Sequence, residues 1–77
     1  MKTVIDQQLN TRIIDEMVSG EHRNGVNLYT KDGSRYFVTY SAPTKMFYMY
    51  SGNWNTSVNI ENMLSFVKTN VRNIERA

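Results

Sequence analysis

No cysteine occurs anywhere in this chain of 77 residues. That excludes a disulfide framework and a thiolate metal site, and it suits a reducing compartment. Histidine and tryptophan occur once each, as His22 and Trp54, and proline once, as Pro43. With His22 alone, a hydrolase triad or a histidine-rich zinc site lacks its parts. Ser19 lies three residues away without a third orienting group, and Asp15 and Glu16 point to two sides of a helix, so they make a poor acid/base pair. The chain is read as non-enzymatic, with no catalytic residue, no cofactor and no metal. Long apolar runs are missing too. Met1-Lys2-Thr3-Val4 opens no stretch of signal-peptide length, and nothing approaches the ~20 apolar residues of a membrane span. No membrane partner and a cytoplasmic location are therefore expected. Asn55-Thr56-Ser57 matches a glycosylation acceptor, but no secretory signal accompanies it. Charge of one sign is also weak: nine basic against seven acidic residues give +2, too little to indicate nucleic acid by itself.

What is present is concentrated in the middle. All five tyrosines lie between Val26 and Tyr50, in three runs with strand character: Val26 to Thr30, Arg35 to Tyr40 and Met46 to Tyr50. Lys31-Asp32-Gly33-Ser34 joins the first two, and Asp-Gly between β-branched and aromatic runs is a strong hairpin signal. A two-residue or four-residue loop sets Tyr29 opposite Tyr36 and Leu28 opposite Phe37. Side chains alternate faces with period two. With Val38 opposite Tyr48, one face then carries Val26, Leu28, Phe37, Phe47 and Met49. The other carries Tyr29, Tyr36, Tyr40, Tyr48 and Tyr50, together with Val38 and Met46. A three-residue turn with a bulge at Gly33 would shift this register by one and mix the faces. The segregated register is preferred because it leaves one uniformly apolar face to be covered.

Two helices flank this segment. Thr3 can cap a run from Val4 to Ser19, with Ile5, Leu9, Ile13 and Met17 at i, i+4 steps and Val4, Ile14 and Val18 widening the stripe. Gly20 fits the left-handed position after a helix end. Gly20 and Gly25 are spaced as in a P-loop, but Val26 follows where Lys would be needed, so a nucleotide cradle is rejected. Ser51 to Ser57 reads as a loop, with Trp54 closing one end of the core or serving as a surface anchor. A second helix is expected from about Val58 to near the last residue, with Ser57 or Asn59 as cap. Its stripe is Ile60, Met63, Leu64, Val67, Val71 and Ile74, and Lys68, Arg72 and Arg76 form a basic line outside it. The predicted architecture is one compact α+β domain over residues 1–77 with two layers: helix, three-stranded antiparallel sheet, helix.

That order leaves the tyrosine face without a cover. Tyrosine combines a large apolar body with a polar tip and is enriched at interfaces. The partner-binding set is therefore Tyr29, Tyr36, Tyr40, Tyr48 and Tyr50, with Arg35, Lys45 and Trp54 at the margins. A protein partner is the first reading, and a homodimer formed sheet to sheet is one form of it. The alternative is a single-stranded nucleic acid whose bases stack on the same rings while Arg35, Lys31 and Lys45 meet phosphates. The glycine-aromatic signature of RNA-recognition domains is absent.

In size, lack of cysteine, asparagine-rich composition and compact α+β pattern without catalytic residues, the chain resembles the small accessory proteins that bacteriophages encode to block host enzymes or defences, anti-CRISPR proteins included. The resemblance covers the whole chain and matches no residue motif. It implies a stoichiometric inhibitor in the host cytoplasm, acting on a host protein or nucleoprotein complex.

Overall fold

The computed structural model describes residues 2–77, with side chains from Asn10 onward. The chain is α+β. Its order is α1 (Lys2–Ser19), β1 (Val26–Thr30), β2 (Arg35–Ser41), β3 (Met46–Ser51), β4 (Trp54–Asn59), α2 (Ile60–Asn70) and β5 (Val71–Arg76). The strands form one antiparallel sheet in the order β4-β3-β2-β1-β5. The expected three-stranded sheet is thus extended by a strand at each side.

The first helix falls where its stripe placed it. Ile13, Ile14 and Met17 are buried and Val18 packs beside them. The helix starts ahead of Thr3, and the expected roles of Thr3, Val4, Ile5 and Leu9 concern side chains outside the described residues. Gly20 has φ +88°, as expected after the helix end.

The second helix corrects the sequence reading most. Asn59 caps it, its side-chain oxygen accepting from the Asn62 N–H at 2.7 Å. Met63 and Val67 are buried beneath it. It stops at Asn70, and Val71 continues in extended backbone at φ −97°, ψ 127°. The Lys31 N–H of the first hairpin turn donates to the Asn70 carbonyl at 2.8 Å, satisfying one of the acceptors left at a helix end. Val71 and Ile74 do reach the core, but from β5 rather than α2. Their spacing of three fits a strand here because the β1–β5 pairing shifts between Tyr29 and Thr30 and leaves Arg72 as an extra residue. The basic line is dissolved accordingly: Lys68 stays in the last turn of α2, while Arg72 and Arg76 lie on β5. Arg76 Nη2 donates to Glu16 Oε1 at 2.8 Å, tying β5 to α1.

The first hairpin uses a three-residue loop, Lys31-Asp32-Gly33, with Gly33 at φ +92°. The Thr30 N–H donates to the Ser34 carbonyl at 2.9 Å, and the Gly33 N–H to the Thr30 carbonyl at 3.1 Å. Buried Thr30 locks this turn. Its hydroxyl donates to Asp32 Oδ1, and the Ser34 N–H donates to Thr30 Oγ1 at 2.9 Å and to Asp32 Oδ1 at 3.1 Å. The result is one residue's difference in register. Leu28 opposes Tyr36, not Phe37, and Val38 opposes Met49, not Tyr48. The parity of β1 and β3 is as expected, but β2 is turned over.

The inward face of the sheet therefore carries Val26, Leu28, Val38, Phe47 and Met49, all buried. Burial of side chains as large as Leu28 and Phe47 stabilises by roughly 1.5–3 kcal/mol each. Both helices contribute to this same core, so they cover one side of the sheet. On the other side no described element lies over the strands.

Candidate protein-binding face

Two of the five tyrosines leave the proposed set. Tyr36 and Tyr40 share the inward parity of Val38 and pack against the core. The ring of Tyr36 lies 5.8 Å from that of Trp54 and 6.2 Å from that of Phe66 on α2, and Tyr40 lies 4.7 Å from Phe47. Trp54 shares the helix-side parity of Thr56 and Val58 and is 51% exposed, so it does not join the open face. Lys45 sits in the β2–β3 turn at φ +57°, its N–H bonded to the Ser41 carbonyl at 2.8 Å. That turn and Trp54 occupy opposite ends of the sheet, so Lys45 and Trp54 do not flank one patch.

The open face keeps Tyr29, Tyr48 and Tyr50 and gains Phe37, with Met46 beside them. Phe37 and Tyr50 are cross-strand partners, their ring centroids 6.4 Å apart, and they are 37% and 42% exposed. The position of the Phe37 ring depends on Gly25. A Cβ there would meet Phe37 Cζ at 2.8 Å and the Val38 carbonyl oxygen at 2.9 Å, and the residue holds φ +84°. Glycine lets the Phe37 ring settle over the backbone that enters β1. Tyr48 Oη lies 3.3 Å from Thr44 Oγ1, and the Tyr29 hydroxyl donates to Glu75 Oε1 at 3.0 Å. These contacts fix the polar tips of two rings that are themselves half-buried.

Polar residues complete the face: Asn27 and Thr39, then Asn55, Ser57 and Asn59 along β4. Among the described residues that strand pairing assigns to this face, Arg35 is the one cation and Glu75 the one anion; the bulged Arg72 has no pairing partner that assigns it a face. The face is thus nearly neutral. Its aromatics run diagonally from Tyr29 through Phe37 and Tyr50 to Tyr48.

Sequence reasoning missed Phe37 because Phe37-Val38 is apolar at both parities. The signal for it is the alternative over which the segregated register is preferred: the three-residue turn with Gly33 in the third position, which is the turn the protein adopts. His22 is half-buried, and its Nε2 donates to the Gly25 carbonyl at 2.6 Å. That bond places it in the joint between α1 and β1. Among the described residues, no three His, Cys, Asp or Glu side chains gather where they could hold a metal ion, and no helix is long and apolar enough to cross a membrane.

No protein-family model, curated protein or solved structure matches this chain.

Proposed function

We propose that this protein is a non-catalytic binding protein that occupies a macromolecular partner through the open face of its sheet. The observation that carries the reading is the cluster of Phe37, Tyr50, Tyr48, Tyr29 and Met46 on a side that neither helix covers. Contiguous apolar surface on a small protein marks an interaction site more often than chance placement does. Rigid aromatic rings on paired strands lose little conformational entropy when they dock, so they make efficient anchors. The action is steric: a partner held on this face loses access to its own ligand. The expected partner is a host protein or nucleoprotein complex of the kind that phage anti-defence proteins block.

A protein surface is favoured over single-stranded nucleic acid by the charge of the face, where Arg35 stands against Glu75. A phosphate binder concentrates cations instead.

The test is the double variant Phe37→Ser/Tyr50→Ser, both side chains being partly exposed. It is expected to keep the wild-type circular dichroism and to lose at least 100-fold in affinity for the partner recovered from host lysate. Unchanged affinity would remove the open face from the interface. Labelled single-stranded oligonucleotides titrated at two ionic strengths are expected to show no binding. Salt-sensitive binding abolished by the same variant would shift the function to nucleic acid.

A further inference from the structure

The two outer strands of the sheet are protected very differently. β5 carries Arg72, Glu75 and Arg76, and its pairing with β1 is broken by a bulge. Charges and bulges are the devices by which edge strands refuse further partners. β4 has neither. Its six residues, Trp54-Asn55-Thr56-Ser57-Val58-Asn59, include no charged side chain and no proline, and all six pair with β3 in unbroken register. The outer side of β4 is therefore an unbroken, uncharged row of backbone donors and acceptors.

We propose that β4 pairs with β4 of a second copy, antiparallel about a two-fold axis, to give one ten-stranded sheet. Three observations favour a second copy over an unrelated strand. β4 carries no charged side chain, so pairing it with its own copy sets no like charges against each other across the seam. An antiparallel pairing sets like against like, and neutral Thr56 tolerates its own image, as threonine pairs do across strands. Finally, Trp54 is half exposed at one end of β4 and shares its parity with Val58 near the other end. An axis at Thr56 brings each Trp54 across from Val58 of the second copy, next to the partly buried Ile60 that opens α2. The half-exposed indole thereby gains an apolar neighbour.

The pairing does not rest on the binding role of the open face, but it bears on it. Strands in a sheet lie roughly 4.8 Å apart. Only the small polar side chains of the two β4 strands would separate the Tyr48/Tyr50 columns of the two copies. The open faces would then join as a single aromatic platform, with two equivalent halves.

Sedimentation equilibrium over micromolar to millimolar concentration reads the outcome directly. The expected species at high concentration is twice the 9.0 kDa monomer. Thr56→Lys faces two ammonium groups across the axis and is expected to weaken dimerisation at least 10-fold. Ser57→Lys, exposed on the other face, is expected to act in the same direction, which guards against a folding defect at one site. Both should retain wild-type circular dichroism. Phe37→Ser/Tyr50→Ser should leave the dimer intact, so loss of partner binding and loss of dimerisation are separable. A monomer at every concentration overturns the proposal. So does a dimer that survives both lysine variants, or one that is lost in the Phe37/Tyr50 variant, since that would be a face-to-face dimer.

Discussion

At Gly25 a missing side chain does structural work twice over. The residue holds a backbone conformation that costs an L-residue about 1–2 kcal/mol, and a methyl group there would strike the Phe37 ring and the Val38 carbonyl. The carbonyl belongs to a paired strand and cannot retreat. Gly25→Ala is therefore expected to lower stability by about 2 kcal/mol or more, adding overpacking to strain. Gly33 offers the control. Its φ is +92° but nothing stands within 4 Å, so Gly33→Ala should cost only about 1 kcal/mol. Urea midpoints compare the two, and equal losses would show that the contact with Phe37 contributes nothing. Asp32 makes the turn sensitive to acid. The hydroxyl of Thr30, first, and then the N–H of Ser34 hold its carboxyl below the ordinary value. A lowered folded pKa means a stabilisation that is present above the usual carboxylate range and is lost as pH falls through the folded value. The difference in urea midpoint between wild type and Asp32→Asn is thus expected to be constant from pH 7 to about 5 and to shrink toward zero near pH 2. A difference unchanged across that range would mean that the ionised carboxylate is not what Thr30 and Ser34 hold.

At the scale of the elements, legibility depended on how many structures a given spacing allows. Helix α1 and strand β1 could be read because their apolar positions fit one period: Ile13 and Met17 are four apart, Val26 and Leu28 two apart. β3 is apolar or aromatic at every position from Met46 to Tyr50, and its inward Phe47 and Met49 come out right only because the one-residue offset at β2 and the one-residue offset between β2 and β3 cancel. β2 could be placed but not oriented. Phe37 and Val38 are adjacent and both apolar, so the choice of inward residue passed to the turn, where Thr30, Asp32 and Gly33 decide it through hydrogen bonds. That one-residue difference moved Tyr36 and Tyr40 out of the candidate site and brought Phe37 in. β5 was concealed by arithmetic. Val67, Val71 and Ile74 step by four and three as a helix stripe should, and a bulge at Arg72 makes the last step equally good for a strand. The weak helix formers around that point, Thr69, Asn70, Val71 and Asn73, were the available warning. β4 was hidden by its composition: Asn55, Thr56 and Ser57 are turn and capping residues by habit, and only their pairing with the aromatic β3 makes them a strand.

The molecule as a whole joins a local meander to one distant partner. β1 through β4 follow one another and pair in sequence order, whereas β5 must return to β1, pairing Val26 with Arg76 and Leu28 with Ile74. α2 carries the chain across the layer between those two edges. The two seams differ in what it costs to close them. Neighbouring strands need only a short loop, while the β1–β5 seam needs more than forty residues to be gathered first, and closure entropy grows with that length. The bond from Lys31 to the end of α2 sits at this meeting point, linking the hairpin turn to the residue from which β5 departs. The kinetics of assembly should carry the imprint. Ile74→Val, in the late seam, is expected to accelerate unfolding and leave the refolding rate nearly unchanged; Val38→Ala, in the meander, should slow refolding. Stopped-flow chevrons would distinguish them, and a refolding limb displaced by Ile74→Val would place the distant seam in the nucleus. If the order holds, the transient species between the two steps is a chain whose β1 flank is still unpaired. Ligand-free lifetime in that state, more than equilibrium stability, would then govern how readily the protein aggregates while it matures.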